Sequence, residues 1–225
     1  MLPIKIDPSI SSVVPTFKLG LISYHSIVIS DSPQMLKGRL QFFQETLQME
    51  LAEKELTDFA GVAEWRAVFK QLNIDPSKYR PSHEALLRRI KQNKLISSIQ
   101  SAVDLNTFFS LQYQIPMGLY DSEKITGDIV VRLGHQGEEY QGINGRVNNM
   151  TGKIISSDQQ GAFGSLIVDS IKTSVTKETA KATHLIYIKP SMSTDEAQQL
   201  VDSVAKMFTQ IHGGDVIEAT IIEAK

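Results

Sequence analysis

Ile125-Thr126-Gly127-Asp128-Ile129-Val130-Val131-Arg132 is where the texture of this 225-residue chain changes. Before it, apolar residues recur at helical spacing. After it, they gather in short runs separated by glycine, asparagine and aspartate turns. Upstream, Leu36, Leu40, Phe43, Leu47 and Leu51 mark one helical face, with Ser32 placed to cap it and Pro33 at its first position. Val62, Trp65, Val68, Phe69 and Leu72 mark a second, closed by Asn73–Pro76. Ser82 caps a third helix containing Leu86, Leu87 and Ile90, and Asp104 opens a fourth with Leu105 and Phe109 facing inward. Trp65, at helical spacing among aliphatics, reads as core rather than as a stacking platform.

Further out on the N-terminal side, Phe17–Ser30 alternates loosely through Leu19, Leu21, Ile27 and Ile29 and predicts one or two strands. Downstream, Ile129 with Val131, then 153–156, 165–168 and 184–188 predict short strands. A last helix starts at Ser193 with Glu196 three residues on, the capping-box spacing, and Gly213 supplies its stop. Its core face is Ala197, Leu200, Val201, Val204, Phe208 and Ile211, and 216–222 predicts a final strand. Helices early, strands late and a closing helix and strand predict a compact α+β fold rather than a βαβ alternation. No linker rich in Pro, Gly or Ser divides the chain, so residues 1–225 read as one domain.

Hydrophobic residues make up 41% and charged residues 21%, a mix that packs a core rather than staying disordered. A formal net charge of −2 excludes a surface coated in basic charge for bulk nucleic-acid binding, though not a local basic patch. With no cysteine, disulfides, thiolate nucleophiles and Cys-ligated zinc are out of reach. Met1–Thr16 carries three prolines and no long apolar core, unlike a leader peptide, and the apolar runs fall short of the roughly 20 residues a membrane span needs. The expectation is a cytoplasmic protein with no membrane contact. No phosphate loop, dinucleotide fingerprint, HExxH or nucleophile elbow is present, and Gly161-Ala162-Phe163-Gly164 is too short for a phosphate cradle. The histidines at 25, 83, 135, 184 and 212 show no metal-ligand spacing, so no metal or cofactor is expected.

Two stretches are specific when taken together. One is Tyr79-Arg80-Pro81-Ser82-His83-Glu84-Ala85-Leu86-Leu87-Arg88-Arg89-Ile90. The other runs from Ile99 through Val103-Asp104-Leu105-Asn106-Thr107, Pro116-Met117-Gly118-Leu119-Tyr120-Asp121, Ile125–Arg132 and Gly137-Glu138-Glu139. In order and spacing they resemble the editing module, often called B-three/B-four, of the phenylalanyl-tRNA synthetase β subunit, over about 79–187. The resemblance implies a PheT/TilS-like three-layer α+β fold with mixed and antiparallel sheets, a sandwich-like core and flanking helices. The shared core runs over about 60–190, with a strand–helix extension at 1–59 and a helix–strand extension at 191–225 completing a free-standing homologue.

The resemblance also implies contact with the aminoacyl 3′ end of tRNA, with an amino acid as ligand or product, and no role with DNA. In the family a histidine follows Pro-Met, and here Gly118 stands in that place. The family's Thr-Asn pair is present as Asn106-Thr107, its substrate-contacting glutamate falls near His184 or Leu185 and is absent, and its glycine-rich turn is replaced by Val168-Asp169-Ser170. The candidate substrate-binding residues are Asn106, Thr107, Pro116, Gly118 and Tyr120, and the candidate catalytic ones are Asp169 and Ser170. Asn106 and Thr107 fit either a substrate contact or a helix cap. Asp169 and Ser170 fit either a carboxylate that orients water or a strand-end turn. Gly118 either widens a pocket or allows a tight turn. Arg80, Arg88, Arg89 and Lys91 form a basic helix for tRNA phosphates or a solvated face.

An activated ester needs few catalytic groups once water is positioned and the oxyanion is met. The functional expectation is hydrolysis in trans of a mischarged aminoacyl-tRNA. The alternatives are a non-catalytic module that binds tRNA or an amino acid in the same pocket, and a scaffold kept for interaction alone.

Overall fold

The computed structural model describes residues 3–224, so Met1, Leu2 and Lys225 lie outside it. In chain order the elements are β1 (Ile4–Ile6), α1 (Pro8–Ser11), β2 (Lys18–His25), α2 (Gln34–Glu53), α3 (Ala60–Gln71), α4 (Ser82–Lys91), α5 (Ser101–Tyr113) and β3 (Met117–Asp121). They continue with β4 (Ile129–Leu133), β5 (Glu139–Gln141), β6 (Val147–Asn149), β7 (Ile154–Asp158), β8 (Gly161–Ser165), β9 (Ala182–Ile188), α6 (Thr194–His212) and β10 (Asp215–Glu223).

Two four-stranded sheets carry the architecture. One is antiparallel, in the order β10-β2-β9-β3; the other is mixed, in the order β1-β4-β7-β8, with β1 parallel to β4. The antiparallel sheet is the middle layer, and β2 shows why. Its residues alternate across the pleat, so Ile22 and Tyr24 join the core formed with α2, α5 and α6, while Leu19 and Leu21 join cores shared with the mixed sheet. Burial on both faces accounts for the nearly continuous apolar texture of this strand. The fold is α+β with three layers: helices, antiparallel sheet, mixed sheet.

Several local expectations are corrected. β2 ends at His25, and Ser26 turns with φ 56°. Ile27 and Ile29 are buried in a loop, whose backbone is bonded to Ala180 and His212 (Ile27 N–H to Ala180 O, 3.1 Å; Val28 N–H to His212 O, 2.9 Å). Of the predicted caps, those at Ser32, Ser82 and Asp104 do not close their helices. Ser32 donates to Asp104 Oδ2 at 2.6 Å, and Pro33 occupies the cap position of α2 without a side-chain bond. Ser82 is the first helical residue of α4, and its N–H donates to Leu166 O at 2.6 Å. Asp104 lies inside α5, where it is buried and accepts from Ile99 N–H (2.8 Å) and from the hydroxyls of Ser32 and Ser98. For Ser32 and Asp104 a side-chain partner 72 residues away replaces the local backbone, which a sequence pattern does not register.

Other local features form as expected. Ser193 and Glu196 make the capping box of α6, and Gly213 ends that helix at φ 64°. Along α6, His212 is buried and Ile211 only partly so, which shifts the inward face by one residue at the last turn. The predicted strand at 165–168 falls at β8 instead, and its residues beyond Ser165 bend away toward the helices.

A buried ion pair fixes α4 against α3. Arg66 donates to both oxygens of the fully buried Glu84, at 2.9 and 2.6 Å. Among the described residues no helix is long and apolar enough to cross a membrane.

Candidate functional site

α4 and α5 each turn one helical face toward a common groove of about 530 Å³. From α4 it is lined by Ser82, Ala85, Leu86 and Arg89, and from α5 by Val103, Asn106, Thr107 and Ser110, both sets at three- and four-residue spacing. The other walls are Ser165 at the end of β8 with Ile167, Val168 and Asp169 beyond it, Met117 on β3, and Ile143, Asn144 and Asn148 from the β5–β6 hairpin. The hairpin is tied down at this place, because Ile143 N–H donates to Asp169 O at 2.9 Å.

Asp169 is the groove's one acidic side chain. Its Oδ1 accepts the Tyr120 hydroxyl at 2.7 Å and Ser165 N–H at 3.3 Å, which leaves Oδ2 for a ligand. Burial of the carboxyl pushes its pKa up to about 7, against the lowering effect of those two donors. Tyr120 is fully buried and held neutral: burial first, and then the Asp169 charge, push its pKa well above the ordinary phenol range. At neutral pH the pair is therefore a neutral phenol donating to a carboxyl that is close to half ionised.

Gly118 has a role neither sequence reading contained. It lies within β3, opposite Leu185, and makes neither a turn nor an opening. A Cβ at Gly118 would overlap the Tyr120 hydroxyl and ring, and so would one at Gly164 on β8. The two glycines form the slot through which Tyr120 reaches Asp169.

Asn106 and Thr107 sit in the second turn of α5, past its N-terminus, so neither caps it. Asn106 Nδ2 donates to Met117 O at 3.3 Å, which turns its Oδ1 toward His184 Nε2 at 2.9 Å. His184 lies within β9, where the family resemblance would have placed a glutamate. It is fully buried, and burial lowers its pKa to about 3. The imidazole is neutral and donates through Nε2, and its buried Nδ1 has no protein partner. Replacing Asn106 by leucine removes that acceptor from a buried N–H and is expected to destabilise the fold by about 1–3 kcal/mol in urea unfolding. An unchanged midpoint would show that the bond carries no weight.

Asn106, Thr107, Arg89 and Asp169 thus come together, with Tyr120 and Gly118 acting from beneath through the Asp169 carboxyl. Pro116 and Ser170 do not line the groove. Pro116 is buried with its carbonyl accepting Tyr187 N–H (3.1 Å), and Ser170 is buried with its hydroxyl accepting Lys172 N–H (3.1 Å). The basic helix divides as well. Arg80 lies 3.8 Å from Glu84, and Lys91 is 3.1 Å from Glu55 and donates to Lys54 O at 2.8 Å. Arg88 is exposed off the groove face, and Arg89 alone of the four lines it. Sequence reasoning missed Ser165 and the hairpin residues Ile143, Asn144 and Asn148. The Asn144-Gly145 turn is the signal that could have found the hairpin. Among the described residues no cluster of three histidine, aspartate or glutamate side chains is arranged for a metal.

The family profile described as B3/4 domain matches residues 64–207. Over 211 residues the chain is 33% identical to the uncharacterized protein YhzB of Bacillus subtilis (strain 168), covering 94% of this chain and 95% of that one. It is 24% identical over 127 residues to the phenylalanine–tRNA ligase beta subunit of Wolbachia sp. subsp. Brugia malayi (strain TRS), covering 54% of this chain and 16% of the subunit. Among solved structures, an N-terminal fragment of the phenylalanyl-tRNA synthetase beta subunit from Pyrococcus horikoshii aligns with a TM-score of 0.46 at 9% identity, over 99% of this chain and 51% of the fragment. The matched stretch contains both helices and every strand that line the groove, and by that match the chain belongs to the B3/4 domain family.

Proposed function

We propose that the groove receives the aminoacyl 3′ end of tRNA and that Asp169 promotes hydrolysis of a mischarged aminoacyl ester there. The observation that carries this reading is a carboxyl with a pKa of about 7 aimed into a groove that also holds Arg89, Asn106 and Thr107. A base poised near the working pH combines a sizeable ionised fraction with real proton affinity. The beta-subunit relatives act on tRNA, as their name states, and 127 residues of this chain align with one of them.

In the proposed reaction, Oδ2 of Asp169 takes a proton from water as its oxygen attacks the ester carbonyl. The Thr107 hydroxyl donates to the oxyanion of the tetrahedral intermediate. Collapse expels the ribose oxygen, which recovers the proton from Asp169, giving free amino acid and deacylated tRNA. Arg89 at the rim pairs with a phosphate of the acceptor end. Asn106, locked by His184, serves as a fixed wall that sets Thr107 in place.

The test is a panel of misacylated tRNAs incubated with the purified protein, and release of amino acid above buffer for at least one member is the expected result. A second reading, a binding module without turnover, draws on the fact that the Asn106 amide is already committed to His184 and Met117. Saturable tRNA binding with no release across the panel would select it. The rim contact has its own check. Arg89→Ala should weaken tRNA binding and lower the salt slope by about one, with Arg88→Ala changing it less. Equal losses from the two would mean that the groove does not orient the tRNA.

A further inference from the structure

Helix α2 carries three large apolar side chains that the fold leaves in solvent: Met35 is 82%, Phe42 71% and Met49 76% exposed. They recur every seven residues, so the stripe returns to nearly the same face, drifting by about 20° per heptad. The buried side of the helix is different, made of Leu36, Leu40, Gln44, Leu47 and Leu51. An exposed apolar stripe of this kind marks a contact surface.

Charge indicates what covers it. The first half of α2 carries Lys37 and Arg39 and no acid, whereas the second half carries Glu45, Glu50 and Glu53 and no base. A parallel second helix would set like charge on like. An antiparallel one sets the basic half of each copy against the acidic half of the other and opposes the two helix dipoles. Phe42 is the centre of this arrangement. Met35 and Met49 lie equally far from it along the helix, so with a two-fold axis at Phe42 Met35 comes level with Met49 of the second copy. Gly38, one turn before Phe42, has open space where a Cβ would stand, which lets the backbones approach.

We propose that this face of α2 is the interface of a homodimer, formed by antiparallel α2–α2 pairing about Phe42. The proposal does not depend on the tRNA reading.

Sedimentation equilibrium over a concentration series should show a monomer–dimer equilibrium with a dissociation constant on the order of micromolar, as suits a small interface. Phe42→Glu places two carboxylates on the axis and should weaken dimerisation by about 100-fold or more. Met35→Glu and Met49→Glu, each on the stripe and each level with the other methionine of the second copy, should weaken it by roughly 10-fold. All three positions are exposed, so far-UV circular dichroism should be unchanged in every variant. A monomer up to several hundred micromolar would overturn the proposal. So would a dimer indifferent to Phe42→Glu, or to both methionine substitutions.

Discussion

Asp169→Asn is expected to lower deacylation by ~10²–10⁴-fold while leaving tRNA affinity within about threefold, because the amide is isosteric but cannot take a proton. Its Oδ1 still accepts from Tyr120 and Ser165, so the groove keeps its shape. In the unsubstituted protein the base works only when ionised. The rate should therefore rise about tenfold per pH unit below about 7 and level off above it, following the raised Asp169 pKa. A rate that falls as pH rises through 7 would assign the carboxyl to proton donation instead.

The same substitution should have the opposite effect on stability. The folded-state pKa is raised from 3.8 to about 7, so the folded protein holds the proton more tightly than the unfolded chain between those values. Stability contributed by this group is complete below about pH 4 and is lost as pH rises through 7. Asp169→Asn removes the buried charge. It should stabilise the protein at pH 8 by on the order of 2 kcal/mol, with the difference vanishing below pH 4 in thermal unfolding. Identical unfolding curves at pH 8 would mean that the carboxyl is not desolvated.

Gly118→His restores the imidazole that the synthetase family has after Pro-Met, and it is expected to damage the fold by about 3 kcal/mol or more rather than improve activity. The reason is overpacking: even a single added methyl at Gly118 would collide with the Tyr120 ring and hydroxyl. Tyr120→Ala combined with Gly118→His should be less destabilised than the sum of the two single variants, because the ring that blocks the histidine is gone. Simple additivity in urea unfolding would show that Gly118 and Tyr120 do not compete for the same space. The space beside Gly118 is filled by the Tyr120 ring on its way to Asp169.

Much of the groove is legible in the sequence. The helical spacing of Leu86, Leu87 and Ile90 and of Leu105 and Phe109 located both walls. The Pro-Met-Gly and Val-Asp-Ser words marked β3 and the turn after β8. The polar groups that were misread share one reason. Ser32, Ser82 and Asp104 have the chemistry of caps, yet Ser32 and Asp104 bond to each other, and Ser82 falls one residue inside its helix, where its N–H bonds to Leu166 O. Lys91 and Arg80 have the charge to bind phosphate but are occupied by Glu55 and Glu84.

By itself the sequence determined the class of the fold, the faces of its long helices and the family, because periodicity and short motifs are local and survive without coordinates. Tertiary structure alone decided which polar groups remain free for a ligand. That choice depends on which donors and acceptors meet across the layers: His184 with Asn106, Tyr120 with Asp169, Arg66 with Glu84. Burial then sets the protonation of those that meet, and burial is a property of the packed molecule, with no counterpart in the order of residues.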